Sequence, residues 1–224
     1  MGNGRYGSQR KTAYREVLPI IVVVCDDTRT AVAYFQEMRR DFKSTVTLKI
    51  IPAPRTGATA MDVVQKAIQV KTSTQSPEDT DEVWALLDLE AIGKDNILAN
   101  NAKREGEKEG IRVVQSNPCF EVWILAHLVN TGRAFSGCRE VLTEVKKEWK
   151  TAFGVDFGNQ KSRADYSKLT QLRAQAIKCC RARGPHNSPS WTEVYNLVES
   201  IMAKSVDNGR GQIPPHSTIS PAGI

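Results

Sequence analysis

Two short carboxylate clusters stand where apolar runs end. Cys25-Asp26-Asp27 follows Ile20 to Val24, and Asp88-Leu89-Glu90 follows Val83 to Leu87. Asp and Glu supply hard oxygen ligands, and residues two apart on an extended segment project to one side, so Asp88 and Glu90 can share one Mg²⁺. If the strands bearing Asp26 and Asp88 are neighbours, Asp26, Asp27, Asp88 and Glu90 converge. Like charges at that range repel unless a cation stands between them. A divalent ion held there polarises a phosphoryl oxygen or orients a water nucleophile. The plainer alternative is that these acids cap the helices that follow the strands.

A third cluster, Asn117-Pro118-Cys119-Phe120-Glu121, opens a helix, where proline suits the first turn and free N–H groups can receive an anion. Glu121 either completes a capping box, the better expectation on general grounds, or reaches the metal cluster. Cys119 at a helix start, with His127 on the same helix, invites a cysteine-hydrolase reading. However, eight residues separate the two by about 12 Å along the axis, too far to share a proton. Packing is the expected role of both. No GxGxxG or GxxxxGK[ST] occurs, so a Gly-rich nucleotide loop is not expected. Zinc is not expected either, because His127, His186 and His216 are isolated from one another and from cysteine pairs at ligand spacing.

The elements that must position these groups follow from periodicity. Continuous apolar runs stopped by acids read as central parallel strands that deliver charge to their carboxyl ends, where α/β sheets bind ligands. After the first strand, Asp27 or Thr28 can cap a helix carrying Ala31, Tyr34, Phe35 and Met38 on one face. Val46, Leu48 and Ile50 alternate as a second strand, followed by a helix over 58–71. Val83 to Leu87 forms the third strand, 94–109 a charged helix stopped by Gly110, and 111–115 the fourth strand before an apolar helix over 120–128. This rhythm predicts an α/β fold with a parallel sheet of about four strands flanked by helices. Three further helices, 138–151, 166–181 and 192–202, make a C-terminal helical extension. The expected division is a flexible basic arm over 1–16, the α/β core over 17–132, a basic helical region over 133–205 and a disordered tail over 206–224.

Charge is unevenly shared along the 224 residues: net +6 overall, with twelve Lys and Arg against five Asp and Glu over 133–183, and thirteen against sixteen over 17–132. An acidic site beside a basic region suits a phosphodiester, whose phosphates are held by Lys and Arg without regard to base sequence. The candidate phosphate-binding residues are Lys146, Lys147, Lys150, Lys161, Arg163, Lys168, Arg173, Arg181 and Arg183; solvated helix faces are the competing account. The apolar stretches are far shorter than the roughly 18 residues needed to cross a bilayer, and Met1 to Tyr6 has no apolar signal region, so a cytoplasmic protein without membrane contact is expected. Five cysteines without CxxC spacing suit reduced thiols.

Val24-Cys25-Asp26-Asp27-Thr28-Arg29-Thr30 with Tyr34-Phe35, Val83 to Glu90, and Ser116 through Leu128 together resemble the RloB-like family, a branch of the Toprim superfamily found with abortive-infection and other phage-defence loci, often beside an ATPase gene. Tyr166-Ser167-Lys168, Ala176-Ile177 and Asn187 to Val194 resemble its later signature, so the likeness spans roughly 18 to 203. The resemblance implies a Toprim-like core whose acids bind Mg²⁺, with Mn²⁺ as a substitute, for cleavage of nucleic acid: RNA, and tRNA within it, ahead of DNA. Asp26 stands where the family has the Toprim glutamate, and Asp88 and Glu90 where it has DxD; Asp27 and Glu121 would assist, with Asn117 positioning substrate.

The chain departs from the usual Cys-Glu-Gly-Glu-x-Thr-Glu, because both later glutamates are missing and the first acid is one carbon shorter. Glu90 is one carbon longer, which partly compensates in reach. A second reading is therefore a Toprim-derived subunit that has lost catalysis and binds nucleic acid or a partner ATPase. A third is the cysteine hydrolase at Cys119.

Overall fold

A computed structural model describes residues 18–54, 57–73, 82–89, 95–158, 164–184 and 188–207. The expected basic arm, Glu90, Lys161, Arg163 and the chain beyond 207 lie outside these residues.

Four parallel strands, β1 (Ile20–Val24), β2 (Thr47–Ile51), β3 (Glu82–Asp88) and β4 (Arg112–Asn117), lie in the order β2-β1-β3-β4. Their connecting helices are α1 (Thr30–Phe42), α2 (Ala60–Ser73) and α3 (Asp95–Lys108). Side chains alternate between two covered faces. Ile21, Val23, Trp84 and Leu86 join one hydrophobic cluster, while Val22, Val24, Val83, Ala85 and Leu87 join the other. Burial on both faces is why these strands read as unbroken apolar runs. Helices α2 and α3 cover one face; α1 covers the other, burying Ala31, Tyr34, Phe35 and Met38 as their spacing predicts. Gly110, at φ +70°, ends α3 in the left-handed region that glycine enters without a Cβ clash.

The remaining chain builds onto the α1 face. Helix α4 (Glu121–Leu128) is buried along its first seven residues, and α5 (Cys138–Phe153), α6 (Arg173–Ala182) and α7 (Val194–Asp207) supply Val141, Val145, Trp149, Ile177, Leu197 and Ile201 to the same cluster as β1. Among the described residues the result is a mixed α/β arrangement with a mostly parallel sheet flanked by seven α-helices, consistent with the Toprim-like arrangement expected.

Three details differ from the sequence expectation. The sheet has a fifth strand, β5 (Trp191–Thr192), antiparallel to β4, where a helix was expected to begin. Two residues are too few to display alternation; Thr192 instead shares a 2.8 Å hydroxyl contact with Ser116 and accepts the Val194 N–H, starting α7 two residues later. The first seven residues of the expected 166–181 helix are a 3-10 helix, with Tyr166 and Leu169 buried one three-residue turn apart. Helix α7 runs to Asp207, into the region expected to be tail. Among the described residues no helix is long and apolar enough to cross a membrane.

Candidate metal centre

Strands β1 and β3 are parallel neighbours, with Val24 beside Ala85, so both release their acids at the same end of the sheet. The Asp88 backbone N–H donates to Asp26 Oδ2. Strand β4 continues the layer, pairing Ser116 with Asp88, and only three residues separate its end from α4. That short turn brings Glu121 to the same place, and the Phe120 N–H donates to the Asp88 carboxylate. Glu121 is only 3% exposed, and its Oε1 accepts a 2.8 Å hydrogen bond from Thr30 Oγ1 at the start of α1. One ligand atom each from Asp88, Cys119 and Glu121 lie within 4.8 Å of one another.

This crowding perturbs several of the titratable groups in it. Burial raises the Asp88 carboxyl well above its ordinary range, and the charges of Asp26 and then Glu121 add to the rise. Asp27 is raised chiefly by burial, opposed by the Thr30 N–H, with Glu121 contributing in the upward direction. Burial, then Asp27 and Asp26, drives the Cys25 thiol up; burial, then Glu121 and Asp27, does the same to the Tyr166 hydroxyl. Asp27 also caps α1, its Oδ2 accepting from the N–H groups of Thr30 at 2.8 Å and Ala31 at 3.4 Å. Its Oδ1 is buried without a hydrogen-bond partner. A desolvated carboxylate oxygen left unpaired costs free energy that an ion would recover. The Asp88 and Glu121 carboxylates at one point, with the unpaired Asp27 Oδ1 near Glu121, fit a hard divalent cation.

Among the expected site residues, Asp26, Asp27, Asp88 and Glu121 come together. Glu121 takes the Thr30 hydroxyl, and the start of α4 shows no side-chain cap, so the capping-box expectation for it does not hold. Asn117 is engaged elsewhere, its Nδ2 donating to the Pro189 carbonyl at 2.8 Å. Cys119 and His127 are both buried and serve different neighbours. The His127 Nδ1–H donates to the Trp123 carbonyl at 2.8 Å, leaving Nε2 as acceptor for the Tyr34 hydroxyl at 3.4 Å. Burial lowers His127 to about 3, while the thiol contact with Cys138 and burial push the Cys119 thiol far up. A thiol held protonated, with its histidine bonded elsewhere, does not make a nucleophile.

The basic candidates divide. Lys146, Lys147 and Lys150 are exposed on α5, with Lys147 bridging Glu144 at 2.8 Å and Glu148 at 3.0 Å, and Lys150 meeting Asp156 at 3.1 Å. Lys168 Nζ stands 5.6 Å from the centre of the Phe153 ring. Arg181 pairs with Glu199, and Arg183 with Asn130. Arg173 is a correction: it is 5% exposed and bound to Asp41 at 2.6 Å over the Phe42 ring, so it ties α6 to α1 rather than facing a polyanion.

Sequence reasoning gave no role here to Thr30, Tyr166 or Cys138. Thr30 and Tyr166 had one signal, membership of the two motifs that carried the family resemblance. Cys138 had none, because it comes close to Cys119 only when α5 packs against α4.

The sequence model of the RloB-like protein family matches residues 21–201 of this chain. No curated protein and no solved structure matches it.

Proposed function

The chain belongs to the RloB-like family, and from that premise we propose that it is a Mg²⁺-dependent nuclease, with Mn²⁺ as a substitute, acting in the cytoplasm as an effector of abortive-infection defence. The observation that carries the reading is the convergence of Asp88 and Glu121, from β3 and α4, within 4.8 Å at the carboxyl end of one parallel sheet, with Asp26 from β1 tied to the Asp88 backbone N–H beside them. A bound Mg²⁺ would supply charge to a phosphoryl oxygen and to an attacking water. Asp26, Asp88 and Glu121 would hold it, with Asp27 offering its unpaired Oδ1. Glu90, two residues beyond Asp88, is the remaining candidate ligand.

The rest of the chemistry falls to positioning. Thr30 fixes the Glu121 carboxylate and the Phe120 N–H fixes Asp88, so both are preset before substrate arrives. Lys146, Lys147 and Lys150 on the exposed side of α5 would take phosphates of the nucleic-acid backbone, with Lys168, Arg181 and Arg183 extending the surface and Lys161 and Arg163, outside the described residues, as further candidates. RNA, and tRNA within it, is the proposed substrate, on family resemblance. Incubation of the pure protein with tRNA and with DNA, plus Mg²⁺ or Mn²⁺, tests this. Cleavage by the wild type and none by Asp88→Ala is expected; equal cleavage by both removes the site.

A second reading has one observation behind it: Asp27 Oδ2 is already spent on capping α1. With fewer free ligands, the chain would be a binding subunit for nucleic acid or a partner ATPase. It predicts salt-sensitive RNA binding without any heat of Mg²⁺ binding.

A further inference from the structure

We propose that Asp88, Cys119, Glu121 and Cys138 form a binding site for a thiophilic divalent ion, Zn²⁺ above all, overlapping the proposed Mg²⁺ site. The four side chains come from the end of β3, the turn before α4, the first residue of α4 and the first residue of α5. Three of them already bring their donor atoms within 4.8 Å of one another, and the fourth, Cys138, is in thiol contact with Cys119. Two sulfurs and two carboxylate oxygens are a complete donor set for four-coordinate Zn²⁺, whose bonds run to about 2.3 Å for sulfur and about 2.0–2.2 Å for oxygen. Mg²⁺ takes oxygen and leaves thiolates aside, so the sulfur pair adds nothing for it. The two ions would therefore draw on different donors of one cluster and share Asp88 and Glu121.

Electrostatics point the same way. The charges of Asp88 and Glu121 both act on the Cys119 sulfur, and a 2+ ion among them would offset that like-charge crowding. On coordination each thiol gives up its proton to solvent, and the ion takes the place the protons held. The spacing of Cys119 and Cys138 along the chain contains no zinc motif, because the pairing is made by packing α5 on α4 and not by a local loop.

The inference shares two acids with the nuclease reading but does not require catalysis. Zn²⁺ bound here would exclude Mg²⁺ and silence cleavage. The test is Co²⁺ added to the full-length reduced protein, read by absorption. One Co²⁺ per chain, a thiolate-to-cobalt band in the near ultraviolet and its displacement by one equivalent of Zn²⁺ are expected. Cys119→Ser and Cys138→Ser should each weaken Zn²⁺ binding at least tenfold and together abolish the band, whereas Cys25→Ser should keep it. A wild type without the band overturns the inference, as does a band that survives the double substitution. In the wild-type protein, Zn²⁺ should also shield Cys138 from alkylation; alkylation at an unchanged rate overturns the inference without relying on any variant. Cleavage with Mg²⁺ but no cobalt band would leave the nuclease standing alone, and a band without cleavage would leave only the zinc site.

Discussion

The backbone N–H of Asp88 donates to the side chain of Asp26, which ties the ends of two neighbouring parallel strands through the group that most needs neutralising. Asp88 is raised well above its ordinary range by burial and by Asp26. An acid whose pKa is higher in the folded state than in the unfolded chain destabilises the fold once ionised, and the penalty disappears as pH falls towards the unfolded value. Asp88→Asn should therefore raise the melting temperature of the metal-free protein at pH 7, by roughly 2–4 °C for each ~1 kcal/mol relieved. The gain should vanish near pH 4, and Mg²⁺ should stabilise the wild type but not the variant. Thermal scans at both pH values with and without Mg²⁺ check it; a variant less stable than wild type at pH 7 would contradict the electrostatic account.

The Thr30 hydroxyl donates to Glu121 Oε1 at 2.8 Å, across 91 residues of chain. Thr30→Val keeps the shape and removes the donor, at a cost of about 1–3 kcal/mol for a buried acceptor deprived of a partner. Thr30→Ser should restore most of it. Urea titration measures the stability, and Mg²⁺ calorimetry should show weaker binding in the valine variant only.

His127 should work in the opposite pH direction from Asp88. Its pKa falls from the ordinary 6.5 to about 3 on folding, owing to burial. Its contribution is complete above pH 6.5 and is lost as pH drops from there towards 3, by about 1.4 kcal/mol per pH unit. His127→Gln should be less stable at pH 7, having lost the Tyr34 and Trp123 contacts, yet lose less on acidification. Denaturant midpoints at pH 7, 5 and 4 decide it, since parallel curves would mean that His127 does not titrate on unfolding.

Arg173 and Lys146 separate structure from binding within one basic region. Arg173→Ala removes the pair with the exposed Asp41 and the packing over Phe42, and should cost about 1–2 kcal/mol of stability. Lys146→Gln, on the exposed face of α5, should leave stability unchanged, weaken RNA binding and lower the salt slope by about 0.7 for a single-stranded target. Filter binding over a salt series beside urea curves reads both. An Arg173 variant with native stability would return that residue to the phosphate-binding surface.

The paired strands and the amphipathic helices were legible because burial imposes a period on the sequence: both faces of β1 and β3 are covered, and α1 hides one stripe. The acids at the strand ends were legible for the same reason, since an abrupt change from apolar to charged marks the edge of a buried layer. The two-residue β5 was not, because a pattern needs more than one repeat. Arg173 was misread because composition counts charge without saying where it points. The Cys119–Cys138 contact was invisible because spacing rules detect ligands brought together by local loops, whereas this pair is joined by helix packing.

Helix α4 has a further consequence for how the site can change. Its residues from Glu121 to His127 are enclosed by other helices and by the sheet, so Glu121 and the Phe120 amide are anchored in the part of the molecule that opens last. Asp26 and Asp27 sit instead on the half-buried turn between β1 and α1. The centre thus resembles a vice with one jaw welded to the frame and one on a sliding screw. Changes in which ion it grips should come from the sliding side, through residues 26–29, while alterations on the welded side should break the frame first.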